Sequence, residues 1–232
     1  MLAMLCAAFA SGAPLLPAEP AFSGGALPDG WEALTFKKIP RHTVYRWSRS
    51  ESAIHAVSRD SASGLIRRLS VDAGAAPILR WRWRVSGIVE RGDARSKAGD
   101  DYPARLYITF KYDPKRTGLG TRMKYGLAKT LYGEYPPHAG INYIWANKLP
   151  RGTTIANAYT DRVKMVAIRS GESEAGKWLR EERDIVRDYR ELFGEEPPPI
   201  AGIAIMSDTD NTHGSAEAWY ADIGLFPRPV KQ

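Results

Sequence analysis

The segment Leu79-Arg80-Trp81-Arg82-Trp83-Arg84-Val85 alternates without interruption between apolar and cationic residues, and it constrains the fold more than any other stretch. Side chains two apart on a strand share a face. Leu79, Trp81, Trp83 and Val85 therefore line a core, and the three arginines face solvent or a ligand. The pattern repeats in Arg105–Phe110, where Leu106, Ile108 and Phe110 oppose Arg105, Tyr107 and Thr109. Thr43–Trp47 alternates too, and further short strands are read at Ile54–Ser58, Ile66–Val71, Ile141–Trp145, Thr153–Ala158, Val163–Ile168 and Trp178–Arg183, with a nearly continuous apolar one at Ile200–Met206 and a weakly alternating one at Ala216–Phe226. SASGL at Ser61–Leu65 leads into the strand at Ile66–Val71.

Many short strands at regular spacing, with turn residues between them, indicate an antiparallel β-sandwich of jelly-roll type. The period changes at two places only. Met123, Leu127 and Leu131 recur every four residues within 119–132, which predicts an inserted short helix. Asp184 caps a second helix over Ile185–Phe193, closed by Gly194 and stopped by Pro197–Pro199. No alternation of long helices with strands appears, so a parallel α/β sheet is not expected.

The 232 residues suit one domain of about 200 residues once the N-terminus is set aside. Residues 2–10 are apolar and uncharged, and small residues follow at Ser11, Gly12 and Ala13. This is an export signal, too short to span a bilayer. It lacks a basic leading region, so its start is expected to be truncated. We expect a signal peptide at 1–18, a leader rich in Pro and Gly at 19–30, and a single β-sandwich at 31–228. Localisation is then periplasmic or secreted. Cys6, the sole cysteine, falls within the signal, leaving the mature domain without a thiol or disulfide.

The formal charge is +7, but the basic residues are spread along the chain and not gathered into a run. That distribution argues against nucleic acid and suits an anionic small molecule, polysaccharide or surface.

SASGL, LRWRWRV, GDDYPARLYITF, INYIWAN, WLREERDIVRDYRELFG, IAIMSDTDNT and AWYADIGLF occur in that order. Together they resemble the bacterial domain-of-unknown-function family 3047, over about Trp31 to Phe226. That resemblance implies membership of a family and no activity. A looser resemblance, of the tryptophan-rich strands and the closing WYADIGL, is to galactose-binding-like jelly rolls such as carbohydrate-binding modules. It implies a fold, and fold does not fix function.

Four groups of residues carry candidate chemistry. Asp100 and Asp101, beside Arg105 at a strand entrance, suit sugar hydroxyls or an ion; the plain alternative is a turn whose carboxylates cap and pair locally. Ser207-Asp208-Thr209-Asp210-Asn211-Thr212 offers alternating oxygen ligands suited to calcium. His213 stands where an EF-hand needs glycine, and Trp219 where it needs glutamate, so that motif is excluded and Asx-turn chemistry suffices. Asn142, Tyr143, Trp145, Asn147, Asn157 and Tyr159 combine aromatic faces with planar amides, as a sugar site does. Each ring taken alone is more often core. Arg82, Arg84, Arg105, Arg162, Lys164 and Arg183 would form a basic surface if they shared a sheet face.

The histidines are scattered, and no GxSxG, HExxH or phosphate-binding loop occurs. The expectation is an exported domain that binds a glycan or small anionic saccharide without catalysis. Its contacts would be Asp101, Arg105, Asn142, Trp145 and Asn157, with Asp208 and Asp210 on a second loop. No cofactor is expected, with calcium as the alternative. The competing functions are a polysaccharide hydrolase or lyase and a structural partner in an envelope assembly.

Overall fold

The computed structural model describes residues 28–113 and 138–229. It contains twelve strands: β1 (Glu32–Leu34), β2 (Val44–Ser48), β3 (Ala53–Arg59), β4 (Ala62–Val71), β5 (Ile78–Val85), β6 (Tyr102–Phe110), β7 (Ala139–Ala146), β8 (Thr154–Asn157), β9 (Thr160–Ser170), β10 (Leu179–Asp184), β11 (Ile200–Asp208) and β12 (Ser215–Phe226). Among the described residues one α-helix, α1 (Ile185–Phe193), follows β10 without a break. The helix expected over 119–132 lies outside the described residues, as does the expected signal segment.

The strands form two sheets. The larger has the order β1-β4-β11-β6-β7-β9-β8 and the smaller β10-β5-β12-β3-β2. Neighbours are antiparallel except β7 and β9, which run parallel through the register Asn142 to Met165. The sandwich expected from the strand pattern is present.

The core is the layer between the sheets. Leu79, Trp81, Trp83 and Val85 all face it from β5, as their alternation requires, and are almost wholly buried. Leu106, Ile108 and Phe110 meet them from β6. Trp81 packs at 5.5 Å from Tyr143, and Trp83 at 5.9 Å from Trp145. These aromatic contacts join β5 of one sheet to β7 of the other. Offset ring pairs add about 0.5–1.5 kcal/mol each beyond area burial.

Two sequence expectations are corrected. The strand expected from Ile66 starts earlier, because β4 begins at Ala62 and takes in most of Ser61–Leu65. Gly64 explains this: it faces Met206 across the ladder, and a Cβ there would stand 2.7 Å from the Ile205 carbonyl oxygen. The glycine permits close strand approach, so here it marks a strand interior. A short strand at Glu32–Leu34, on the sheet edge, was not anticipated.

The helix matches its expected limits. The Asp184 Oδ1 atom accepts from the Arg187 amide at 3.0 Å, and Gly194 closes the helix with φ of 69°.

Candidate functional site

Loops at one end of the larger sheet bring four of the expected residues together. Strand order makes this happen. The entrance of β6 lies beside the exit of β11, and the β8–β9 turn reaches the same loops through the Tyr159 hydroxyl, 3.2 Å from Asn211 Oδ1. Carboxylate oxygens of Asp101, Asp208 and Asp210 lie within 4.8 Å of one another.

Asp101 is a cross-link between loops. Its Oδ1 accepts from the Asn211 amide at 3.3 Å and from Asn211 Nδ2 at 3.2 Å. Its Oδ2 accepts from the Thr212 amide at 2.7 Å and the Thr212 hydroxyl at 2.6 Å. Asn147 fixes the preceding loop, accepting from the Val89 amide and donating to the Asp101 carbonyl, each at 2.8 Å. Gly92 leaves room for that amide, since a Cβ there would fall 2.1 Å from Asn147 Nδ2.

Arg105 and Asp208 form a buried, two-pronged pair, with side chains only 3% and 2% exposed. Arg105 Nε donates to Asp208 Oδ1 at 2.8 Å, and its second prong reaches Oδ2. The same guanidinium donates to the Tyr107 hydroxyl at 3.1 Å and lies 4.1 Å over the Tyr102 ring. Burial works against the Arg105 charge, but Asp208, then Tyr107 and Asp100, hold its pKa well above the ordinary value. Burial pushes Tyr107 up to about 12.

The upper rim is more open. Asp210 is half-buried, and desolvation, followed by the Asp101 charge, raises its pKa. Tyr159 is 59% exposed and donates to Asn211 Oδ1 at 3.2 Å. Lys97 Nζ lies 5.4 Å from the Tyr159 ring centre. Asn157 positions this tyrosine: its Oδ1 accepts from the Tyr159 amide at 3.0 Å.

Asn142 occupies β7 opposite Tyr107, on the outer face of the same sheet. It is wholly buried, and neither its Oδ1 nor its Nδ2 has a hydrogen-bond partner. Such a group costs stability.

Trp145 does not belong with these residues. On β7 the odd positions Ile141, Tyr143 and Trp145 point into the core, and Trp145 is fully buried there. Its Nε1 donates to the Gly171 carbonyl at 3.0 Å. The expected common basic face is also not formed. Arg82 and Arg84 sit on the smaller sheet, engaged by Asp222 at 2.7 Å and Glu51 at 2.9 Å. Arg105 is buried in the larger sheet, and Arg183 pairs with Asp188.

Lys97 and Tyr107 were missed by sequence reasoning. Tyr107 was legible as an outward residue of β6. Lys97 stood in a polar loop that carried no periodic signal.

The three clustered carboxylates raise the question of a cation. Asp101 already accepts four hydrogen bonds and Asp208 three, from Arg105 Nε, the other Arg105 prong and the Tyr102 amide. Most of their lone pairs are committed to protein donors, as in a hydrogen-bonded network. The same commitment denies Asp101 and Asp208 the freedom an acid–base pair needs.

Residues 29–224 match the family model described as "Protein of unknown function (DUF3047)". No curated protein sequence matches. Among solved structures, the chain is similar to the family 11 carbohydrate-binding module of the cellulosomal cellulase Lic26A-Cel5E of Clostridium thermocellum. Identity is 10%, coverage 95% of this chain and 97% of that one, and the TM-score 0.45. A mutant family 29 carbohydrate-binding module complexed with mannohexaose matches at 8% identity, 91% coverage of each chain and a TM-score of 0.39. A family 4 module matches at 10% identity, covering 86% of this chain and 96% of its own, with a TM-score of 0.37. At these scores the likeness carries nothing about ligand or site.

Proposed function

The chain belongs to the DUF3047 family, and within that premise we propose that this domain binds a neutral glycan at the Tyr159 rim without catalysing a reaction. The observation that carries the proposal is the exposed Tyr159 ring, held by Asn157 and Asn211 above a cluster of carboxylates. A sugar ring has an apolar face that suits a flat aromatic surface, and a rim of hydroxyls that suits carboxylates and amides. Asp210 offers acceptor oxygens at the rim. Asp100, Asp101, Asp208 and Asp210 outnumber Lys97 and Arg105, so an uncharged ligand suits the rim better than an anion. The apolar N-terminal run supports an exported protein acting on extracellular saccharide.

Calorimetric titration with cellohexaose and mannohexaose tests this reading. Saturable binding that weakens about tenfold or more in Tyr159→Ala is expected. No binding by either sugar, or unchanged affinity in that variant, overturns it. Shorter saccharides appearing in the same mixture on chromatography would move the assignment to a hydrolase.

A further inference from the structure

The second strongly exposed apolar side chain among the described residues, Val44 at 47%, lies on the other sheet. It sits in a cleft of about 520 Å³ along the edge strand β2 and its neighbour β3, lined by Arg41, His42, Arg46, His55, Val57 and Arg59 with Val44 itself. Register orders these groups. Arg46 faces His55 across the ladder, and Val44 faces Val57. Outward residues of β3 recur at His55, Val57 and Arg59, so cations stand at both ends of the cleft with two valines between them. His55 and Arg59 are four residues apart, about 13 Å along the strand.

Nearby carboxylates are already engaged. Asp60 pairs with Arg41 and His213, and Glu217 with His55 at 2.7 Å. Arg46 and Arg59 are exposed, and their guanidinium groups pair with no described residue. An arginine fork without a carboxylate partner is suited to recognising one from a ligand. The apolar centre decides the ligand class. A phosphate chain is charged along its whole length and gains nothing from Val44 and Val57. A saccharide chain with carboxylate substituents presents anionic groups at intervals and apolar ring faces between them.

We propose that this cleft is a separate binding site for an acidic, carboxylate-bearing oligosaccharide, with Arg46 and Arg59 as the anion-recognising groups and the Val44–Val57 pair as its floor. It lies on the opposite sheet from the Tyr159 rim and stands independently of that reading.

The test is titration of the full chain with hexagalacturonate at low salt. The variants are Arg46→Gln with Arg59→Gln, Val44→Glu, and Arg151→Gln as a remote loss of positive charge. Saturable binding is expected, weakened about tenfold or more in the double variant and in Val44→Glu, and unchanged in Arg151→Gln. Both arginines are exposed and unpaired, so an unchanged melting temperature is expected to accompany the loss. No binding, or equal weakening by Arg151→Gln, overturns the proposal. So does tighter binding of tripolyphosphate or single-stranded DNA through the same two arginines, which would make the cleft a phosphate site.

Discussion

Arg105 and Asp208 hold the floor of the Tyr159 rim, and their burial decides what each substitution does. Removing one partner strands the other as an uncompensated charge in a water-poor site, which costs about 3–5 kcal/mol. Arg105→Met is therefore expected to lower stability by that amount in urea denaturation. Arg105→Met with Asp208→Leu should recover much of the loss, because no buried charge remains. A double variant as unstable as the single one would show that the hydrogen bonds Arg105 donates to the Tyr107 hydroxyl and the Asp100 carbonyl matter more than the pair. Asp210 behaves oppositely. Its folded pKa is raised, so the fold favours its proton, and the associated stability is present below the ordinary carboxylate value and lost as pH rises through the folded pKa. Asp210→Asn mimics the protonated form. It should melt higher than the parent at about pH 7, with the difference shrinking towards about pH 4. A gain independent of pH would show that ionisation is not its source. Stabilisation joined to weaker glycan binding is the expected signature of a residue kept for function.

Element by element, the sequence was readable wherever one period governed one burial pattern. β5 is the clearest case, because alternate burial of Trp81 and Trp83 and outward arginines follow from spacing alone. The helix α1 was equally legible, because Asp184 and Gly194 are capping residues with local partners. β4 was not. Ser61, Ser63 and Gly64 are turn formers by composition, and what makes them strand is the backbone of β11, about 140 residues away in the chain. Gly64→Ala tests that account. The added methyl must push the Ile205 carbonyl away, and overpacking of this kind costs about 1–3 kcal/mol. Loss of stability in that range, measured by chemical denaturation, is expected. A neutral result would mean that the ladder yields at little cost. Trp145 was misassigned for a related reason: β7 is buried on both faces, so its sequence shows no alternation from which to tell an inward ring from an outward one.

Across the whole molecule, the site could be read only in pieces. Asp101, Asp208 and Asn157 were each visible as polar residues at strand ends, but their meeting depends on β11, β6, β7, β9 and β8 being neighbours in that order. Nothing local encodes that order. The basic residues weighed as a possible shared face are likewise divided between the sheets, with Arg82 and Arg84 on the smaller and Arg105 buried in the larger. The acid-rich rim of the larger sheet carries Tyr159, and the cation-rich cleft of the smaller sheet carries Val44. This division makes a prediction that neither site makes alone. Screening shortens the reach of exposed charges from about 10 Å at 0.1 M salt to about 3 Å at 1 M. Hexagalacturonate affinity should therefore fall steeply between those concentrations, whereas cellohexaose affinity, resting on ring contact and hydrogen bonds, should change by less than about twofold. Titrating both sugars in both buffers reads this directly. Parallel salt dependence would mean that one electrostatic surface binds both ligands, and the assignment of separate sites to the two sheets would fail.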